Sequence, residues 1–171
     1  MKSRGRWVKC VAPAIMAFAV YIVYTGAARL YDVVTGVVAA IAVGSLFGVL
    51  VVSDWRKSLD PKRLGWLALY TLKYFLVHEV KAHAEMIRRC LGPRIDINPA
   101  IVRVPIRSRT GFGVTMVSIA ITNTPGTVVV DLDEEKGVLY VHWLFAKTLV
   151  DSEAYREVAE DFDRYAQRVF E

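Results

Sequence analysis

Two long apolar runs dominate the first third of the chain. Residues 10–28 are 19 positions without a charge, and residues 33–53 are 21. At 1.5 Å per residue these predict helices of about 28 and 32 Å, enough for a hydrocarbon core of ~30 Å. Only Arg29-Leu30-Tyr31-Asp32 separates them, which predicts a tight helical hairpin. The length of the first run, with a second directly behind it, argues for an uncleaved span rather than a signal peptide. Pro13 is expected in the first turn, where a missing N–H costs least.

The next periodic stretch opens at Pro61 and runs to about Leu91, closed by Gly92-Pro93. At 100° per residue it sorts into two faces. Lys73, His78, Lys81, Glu85, Arg88 and Arg89 share one side, and Leu69, Leu72, Phe75, Leu76, Val80, Met86, Ile87 and Cys90 share the other. The pattern predicts an amphipathic helix at the membrane interface, or a partly buried continuation of the hairpin. Glu79 and His83 break it. They fall on the apolar side one turn apart, where they can pair. The pair is either a satisfied carboxylate–imidazole contact or a contact with a partner subunit near a proton-handling route.

Residues 94–171 read as a small α+β domain. Residues 101–106 form a strand, placed at an edge by Pro105. Residues 127–132 and 138–144 form two more, around the turn Asp133-Glu134-Glu135-Lys136-Gly137. Tyr155, Val158, Ala159, Phe162, Ala166 and Val169 follow helical spacing from Asp151, a candidate N-cap. The opposite face, with Glu153, Arg156, Glu157, Glu160, Asp163, Arg164 and Arg168, reads as solvated. Residues 113–122 are ambiguous: their β-branched side chains favour strand, while a helix would put Val114, Val117 and Ile121 on one side. Thr124-Pro125-Gly126-Thr127 follows, and Pro-Gly at its centre suits a type II turn.

Composition supports a membrane protein. The hydrophobic fraction is 54%, and eleven glycines raise it to about 60% against ~45–50% for a soluble domain counted alike. The mean hydropathy is +0.34. A net charge of +5 suggests nucleic acid until it is mapped along the chain. Residues 1–63 hold nine Lys/Arg and three Asp/Glu, residues 64–110 eight and three, and residues 111–171 five and eleven. Lys2, Arg4, Arg6 and Lys9 precede the first run, and Arg56, Lys57, Lys62 and Arg63 follow the second, while the connector has only Arg29. The positive-inside rule then predicts both ends in the cytoplasm. The basic excess is an orientation signal, with anionic headgroups as counter-charge and no nucleic-acid partner.

Candidate chemistry is sparse. Gly36, Ala40, Gly44 and Gly48 recur every fourth residue in the second run, a stripe suited to close helix packing in lipid. It serves either the hairpin itself or docking onto another membrane subunit. Neither run holds an Asp, Glu, Lys, Arg or His, so the chain is not expected to carry ions by itself. Cys10 and Cys90 have neither disulfide-framework nor zinc spacing. His142 alternates with Tyr140 and Leu144 on a strand, as a structural histidine does. Asp131, Asp133, Glu134 and Glu135 make an acidic tip, read as a solvated turn rather than a cation site. No nucleophile elbow, phosphate loop, CxxC or HExxH occurs. No catalytic, cofactor-binding or metal-ligating residue is expected.

Taken in order, the hairpin, the basic helix, Val104-Pro105-Ile106, the run VSIAITNTPGTVVVDLDEEKGVLYVHWL and the acidic helix resemble the E subunit of Mrp-type multisubunit cation/proton antiporters. The most specific parts are ITNTPGTVVVD and LYVHWL. Matching residues are Thr122, Thr124, Pro125, Gly126, Thr127, Asp131, Tyr140, His142 and Trp143. The chain departs from the family at His78-Glu79, where a Lys-Glu pair is usual, at His83, where asparagine is usual, and at Ser118.

The resemblance implies a two-span subunit with a cytoplasmic domain, not catalytic by itself, whose partners are other membrane subunits and lipid. Similar subunits occur in Mrp-derived modules of archaeal membrane-bound hydrogenases and sulfur-reducing complexes. It also favours helix for residues 113–122. The expected architecture is a two-helix membrane hairpin (1–60), an amphipathic interfacial helix (61–93) and a cytoplasmic β-α-β-β-α domain (94–171), in the cell membrane. Rival expectations are a membrane-anchored enzyme using His142 and a self-associating membrane scaffold.

Overall fold

The structure is a computed structural model that describes residues 4–51, 57, 60–93 and 97–171. Lys2 and Arg56, the last two residues of the second apolar run, and the first three of segment 94–171 lie outside the described residues. The chain divides into two compact units, Met1–Pro61 and Lys62–Glu171.

The first unit is a pair of helices, α1 (Arg4–Thr25) and α2 (Leu30–Val51). Pro13 lies inside α1 and not in its first turn, because the basic residues before the apolar run are helical too. Gly26 ends α1 with φ +63°, and its N–H donates to Ile22 O at 3.1 Å, a left-handed stop that glycine adopts without steric cost. Asp32 sits in the first turn of α2, where a carboxylate suits the positive end of the helix dipole. Val8–Thr25 and Leu30–Gly48 are long and apolar enough to cross a membrane. The small-residue stripe is the seam between the two helices. A Cβ placed on Gly48 would lie 2.6 Å from Cys10 Cα, and one on Gly44 would lie 2.7 Å from Cys10 O and 2.9 Å from the Ala14 methyl. Gly36 faces the Tyr21 and Phe18 rings in the same way, and Ala40 is buried.

In the second unit, residues 62–90 stay helical but change register. After α3 (Pro61–Lys73) comes a π-helical stretch, Tyr74–Glu79, and then α4 (Val80–Cys90). There follow β1 (Ala100–Pro105), α5 (Gly111–Asn123), β2 (Thr127–Asp133), β3 (Val138–Trp143), α6 (Asp151–Val158) and α7 (Glu160–Phe170). The sheet order is β1-β3-β2, all antiparallel, with Ile101 opposite His142 and Val128 opposite His142 from the other side. Its inner face (Val102, Val104, Leu139, Val141, Trp143) packs with Val117 and Ile121 of α5 and with Phe162 and Ala166 of α7. The outer face leaves Ile101 and Val128 exposed.

The ambiguous segment is helix because its start and its inner side are both satisfied. The Thr110 hydroxyl accepts from the Gly113 N–H at 3.2 Å as an N-cap, and Gly113, Val117, Ala120 and Ile121 are buried. The β2 edge is closed from the side: Val129 N–H donates to Thr122 Oγ1 at 3.2 Å, and Leu132 N–H to Asp131 Oδ1 at 2.8 Å, beside a register shift between Val129 and Asp131.

The terminal helix differs from expectation in three ways. It is two helices, because the backbone turns off helical geometry at Ala159 (φ −125°, ψ −25°). The residue at the N-cap is Val150, and Asp151 lies inside the first turn. Asp163, expected on the solvated face, is fully buried. Its carboxylate accepts from Arg107 N–H (2.8 Å), Ser108 N–H (2.9 Å), Ser108 Oγ (2.6 Å), Tyr155 Oη (3.0 Å) and Gln167 Nε2 (3.2 Å). The break lets α6 bring Tyr155 onto the carboxylate that α7 carries. Burial and the Asp163 charge push the Tyr155 phenol up to about 12.

Two substitutions test these anchors. Gly44→Leu has no room against the α1 backbone, so the helices must part; Cys10 alkylation by a membrane-permeant maleimide, measured in a Cys90→Ser background, should accelerate. Asp163→Ala orphans several buried donors at ~1–3 kcal/mol each, so a loss of about 4 kcal/mol is expected, with Asp163→Asn milder. Urea unfolding of the full chain in detergent measures the two Asp163 variants.

Candidate functional site

The register change in residues 74–79 builds a polar cluster. In α geometry, residues five apart point about 140° from each other; the i→i+5 spacing of a π-helix returns them to one side. Tyr74 and Glu79 are five apart, and both meet Asn123 at the end of α5. Asn123 Nδ2 lies 3.1 Å from Tyr74 Oη and 3.5 Å from Glu79 Oε1. Burial, and then the adjacent Glu79 carboxylate, hold the Tyr74 phenol above its ordinary range; burial followed by Tyr74 and Glu79 does the same to Tyr70. Glu79 also meets His83, Oε2 to Nδ1 at 3.1 Å, and the ring contacts Glu79 O at 2.9 Å. The expected pair is therefore formed. Its Glu79 side chain is 16% exposed and its His83 side chain 58%. The carboxylate faces into the unit and the imidazole faces out.

The side of this helical stretch that is covered is its aromatic one. Trp66 and Tyr70 pack on Tyr165, with centroids 6.2 and 5.7 Å apart, and Tyr74 and His78 pack on Phe162 at 6.0 and 5.0 Å. Arg168 stacks over Trp66 at 4.1 Å, a cation–π contact that fixes the other edge. Lys73 and His78, from the polar set, reach one carboxylate: Asp161 pairs with Lys73 and Arg164, and lies 3.2 Å from His78 Nε2. Burial raises the Asp161 carboxyl, but the Lys73 and Arg164 hydrogen bonds and charges outweigh it and hold the group below its usual range. Burial dominates at His78, assisted by Lys73 and Lys81 and opposed by Asp161, so its pKa lies below 6.5.

The motif residues after α5 form the turn their sequence suggests. Thr127 N–H donates to Thr124 O at 3.2 Å, and Gly126 has φ +99°. That fits a type II turn, in which the third position needs positive φ. The hydroxyls are committed to backbone: Thr124 Oγ1 to Ala120 O (2.8 Å), and Thr127 Oγ1 to Ile121 O (2.7 Å) and Thr124 O (3.1 Å). Gly126 O accepts from Leu144 N–H at 2.8 Å, tying the turn to the end of β3. A Cβ on Gly126 would sit 3.3 Å from the Phe145 ring, and Met86 of α4 lies just beyond.

This turn and α4 share a groove of about 570 Å³, lined also by Trp143, Phe145, Lys81, Arg89 and Lys147. Arg89 stacks on Phe145 at 4.1 Å and pairs with Glu85 at 2.6 Å; Lys147 pairs with Glu157 at 2.6 Å. A smaller hollow of about 200 Å³ lies beside His78 and Asp161.

The remaining candidates are dispersed. His142 is half-buried on the outer face of the sheet and lines neither concavity; among the described residues its ring has no hydrogen-bond partner. Asp133 of the acidic tip caps its own turn, accepting from Lys136 N–H at 3.0 Å and Lys136 Nζ at 2.7 Å. Among the described residues, no group of three or more His, Cys, Asp or Glu could hold a metal ion. Reading the sequence missed Tyr74, Asn123, Asp161 and Asp163. The available signal for the first two was their spacing from Glu79 and from the turn. For Asp163 it was a charge wedged between the buried Phe162 and Ala166.

The sign of the pH response follows from His78. Its pKa is lower folded than unfolded, so the unfolded chain takes the proton first, and stability falls as pH drops below 6.5. Asp161 acts lower: its stabilisation is present above 3.8 and is lost as pH falls further. The groups facing His78 are Lys73, Lys81, Arg156, Glu157, Glu160 and Asp161. The urea midpoint should therefore fall between pH 7.5 and 5.5, and His78→Gln should flatten that interval.

Known proteins resemble this chain in sequence and in fold. A family model described as MNHE, Na+/H+ ion antiporter subunit, matches residues 14–169. The E subunit of the Na(+)/H(+) antiporter of Bacillus subtilis (strain 168) is 27% identical over 135 residues, covering 77% of this chain and 84% of the relative. That of Alkalihalophilus pseudofirmus is 23% identical over 125 residues, covering 71% and 78%. A chain in the membrane-bound sulfane sulfur reductase, an archaeal respiratory membrane complex, shares the fold with a TM-score of 0.81 at 22% identity, covering 95% of this chain and 99% of that one. The polar cluster, the closed turn and the two apolar helices thus lie in a chain that belongs to the MNHE family of Na+/H+ ion antiporter subunits.

Proposed function

We propose that the chain is a non-catalytic assembly subunit of a multisubunit Na+/H+ antiporter, or of a membrane-bound respiratory complex containing such a module. Its hairpin spans the membrane, and its N-terminus and the Lys62–Glu171 unit lie in the cytoplasm. Its partners are other membrane subunits.

The observation that carries this reading is how the motif residues are used. Thr124 and Thr127 donate their hydroxyls to backbone carbonyls, Thr122 Oγ1 accepts from the Val129 N–H, and Gly126 is seated against Phe145. A motif committed in this way builds a surface rather than a reaction centre. The surface is the groove that the turn shares with α4, where neighbouring subunits are braced. Orientation is supported by the basic flanks of the two apolar runs. The hairpin seam is occupied by its own two helices, so docking onto other spans falls to the outward side chains of α1 and α2, such as Ile15, Val20, Val38 and Ile41. An enzyme built on His142 is not favoured, since the ring faces neither concavity.

Glu79 joins the π-helical stretch, α4 and the end of α5. Glu79→Gln keeps the shape and removes the charge. In everted vesicles carrying the whole complex, antiport or the yield of co-purified subunits should fall about tenfold, the scale of one charged hydrogen bond of about 1.5 kcal/mol. Unchanged transport together with unchanged assembly would remove Glu79 from the proposal.

A further inference from the structure

The stretch from α3 into α4 wears its apolar side outward. Leu64, Leu69, Leu72, Phe75, Leu76 and Val80 are each 47–68% exposed. No outward position from 64 to 76 carries a charge. Monomeric soluble proteins seldom display so many large apolar side chains together, and such a patch marks an interaction surface. The side that would ordinarily face water, with Lys73 and His78, is turned onto Asp161 and Phe162.

We propose that this face lies in the headgroup and acyl boundary of the membrane, so that the Lys62–Glu171 unit is held to lipid by its first helix. Three observations select lipid as the occupant. Nine residues separate Val51, at the end of α2, from Pro61, at the start of α3, so the helix begins within about 30 Å of chain from a membrane span. Basic groups mark both ends of the stretch, next to where anionic headgroups would lie: Lys62 is exposed at its start, and Arg88, 76% exposed and 3.7 Å from Glu85, lies near its finish. Glu160, the exposed acid that opens α7, sits on the helix that covers the opposite face, and the exposed acid of α4, Glu85, is paired with Arg89 at 2.6 Å. An apolar helical face at the interface, with cations near its ends, is the pattern of a surface-lying helix.

The inference rests on membership of a membrane complex, and the test separates the two. A fluorophore is attached at Leu72→Cys, and separately at Leu76→Cys, in a Cys10→Ser, Cys90→Ser background, with Glu134→Cys as the water-exposed control. The full complex is placed in nanodiscs of phosphatidylcholine and phosphatidylglycerol with brominated acyl chains, and the full chain alone is treated identically. The labels at 72 and 76 should lose most of their fluorescence to brominated lipid in both preparations, and the label at 134 should not. Labels at 72 and 76 that escape brominated lipid in the complex overturn the proposal, either as water-facing (quenched by iodide) or as covered by protein (quenched by neither). If the chain fails to co-purify with other subunits, the assembly reading fails, while quenching in the chain alone still decides the lipid contact.

Discussion

The buried carboxylate of Asp163 is the constraint on which the Lys62–Glu171 unit rests. An ionised carboxylate in a covered site is costly unless its lone pairs are taken, and here five donors from four residues take them. Arg107 and Ser108 belong to the loop that leaves β1, Tyr155 to α6, and Gln167 to α7 itself. One side chain therefore fixes the exit of the first strand against both terminal helices. α7 is in turn the wall on which Trp66, Tyr70, Tyr74 and His78 pack. If the carboxylate moved, the helical stretch would lose the surface that makes it turn its leucines outward.

The register change at Tyr74–Glu79 follows from that arrangement. A straight α-helix cannot present both Tyr74 and Glu79 to Asn123, so one turn is widened. The widening also divides the helix in character. Before it, the outward side from Leu64 onward is purely apolar or uncharged; after it, charged groups such as Lys81, Glu85 and Arg88 are exposed. The polar cluster thus marks the boundary between a stretch suited to lipid and one that lines the groove beside the motif turn.

Much of this was legible in the sequence, for identifiable reasons. The apolar runs, the edge strand with Pro105, the hairpin around residues 133–137 and the Pro-Gly turn each rest on local chemistry, and each is formed. The Glu79–His83 contact was legible because residues four apart meet on any helix. Asp163 was not, because a charge in a helix reads as solvated until its donors arrive from residues more than fifty positions away. The π-helical turn left no mark in a periodicity sum that assumes 100° throughout. The break at Ala159 was hidden for the opposite reason: alanine is a strong helix former, and nothing local marks the turn that accompanies the Tyr155 contact with Asp163. The glycine stripe was visible but its partner was not, since small residues fit an intramolecular and an intermolecular seam equally well.

The side-chain caps on β2 carry a consequence for how this unit meets other proteins. With the Val129 and Leu132 amides already satisfied by Thr122 and Asp131, those positions offer no main-chain donors to an incoming strand. A neighbour cannot extend the sheet there and must recognise side chains instead. Contacts of that kind can be exchanged one residue at a time while the ladder beneath them stays fixed.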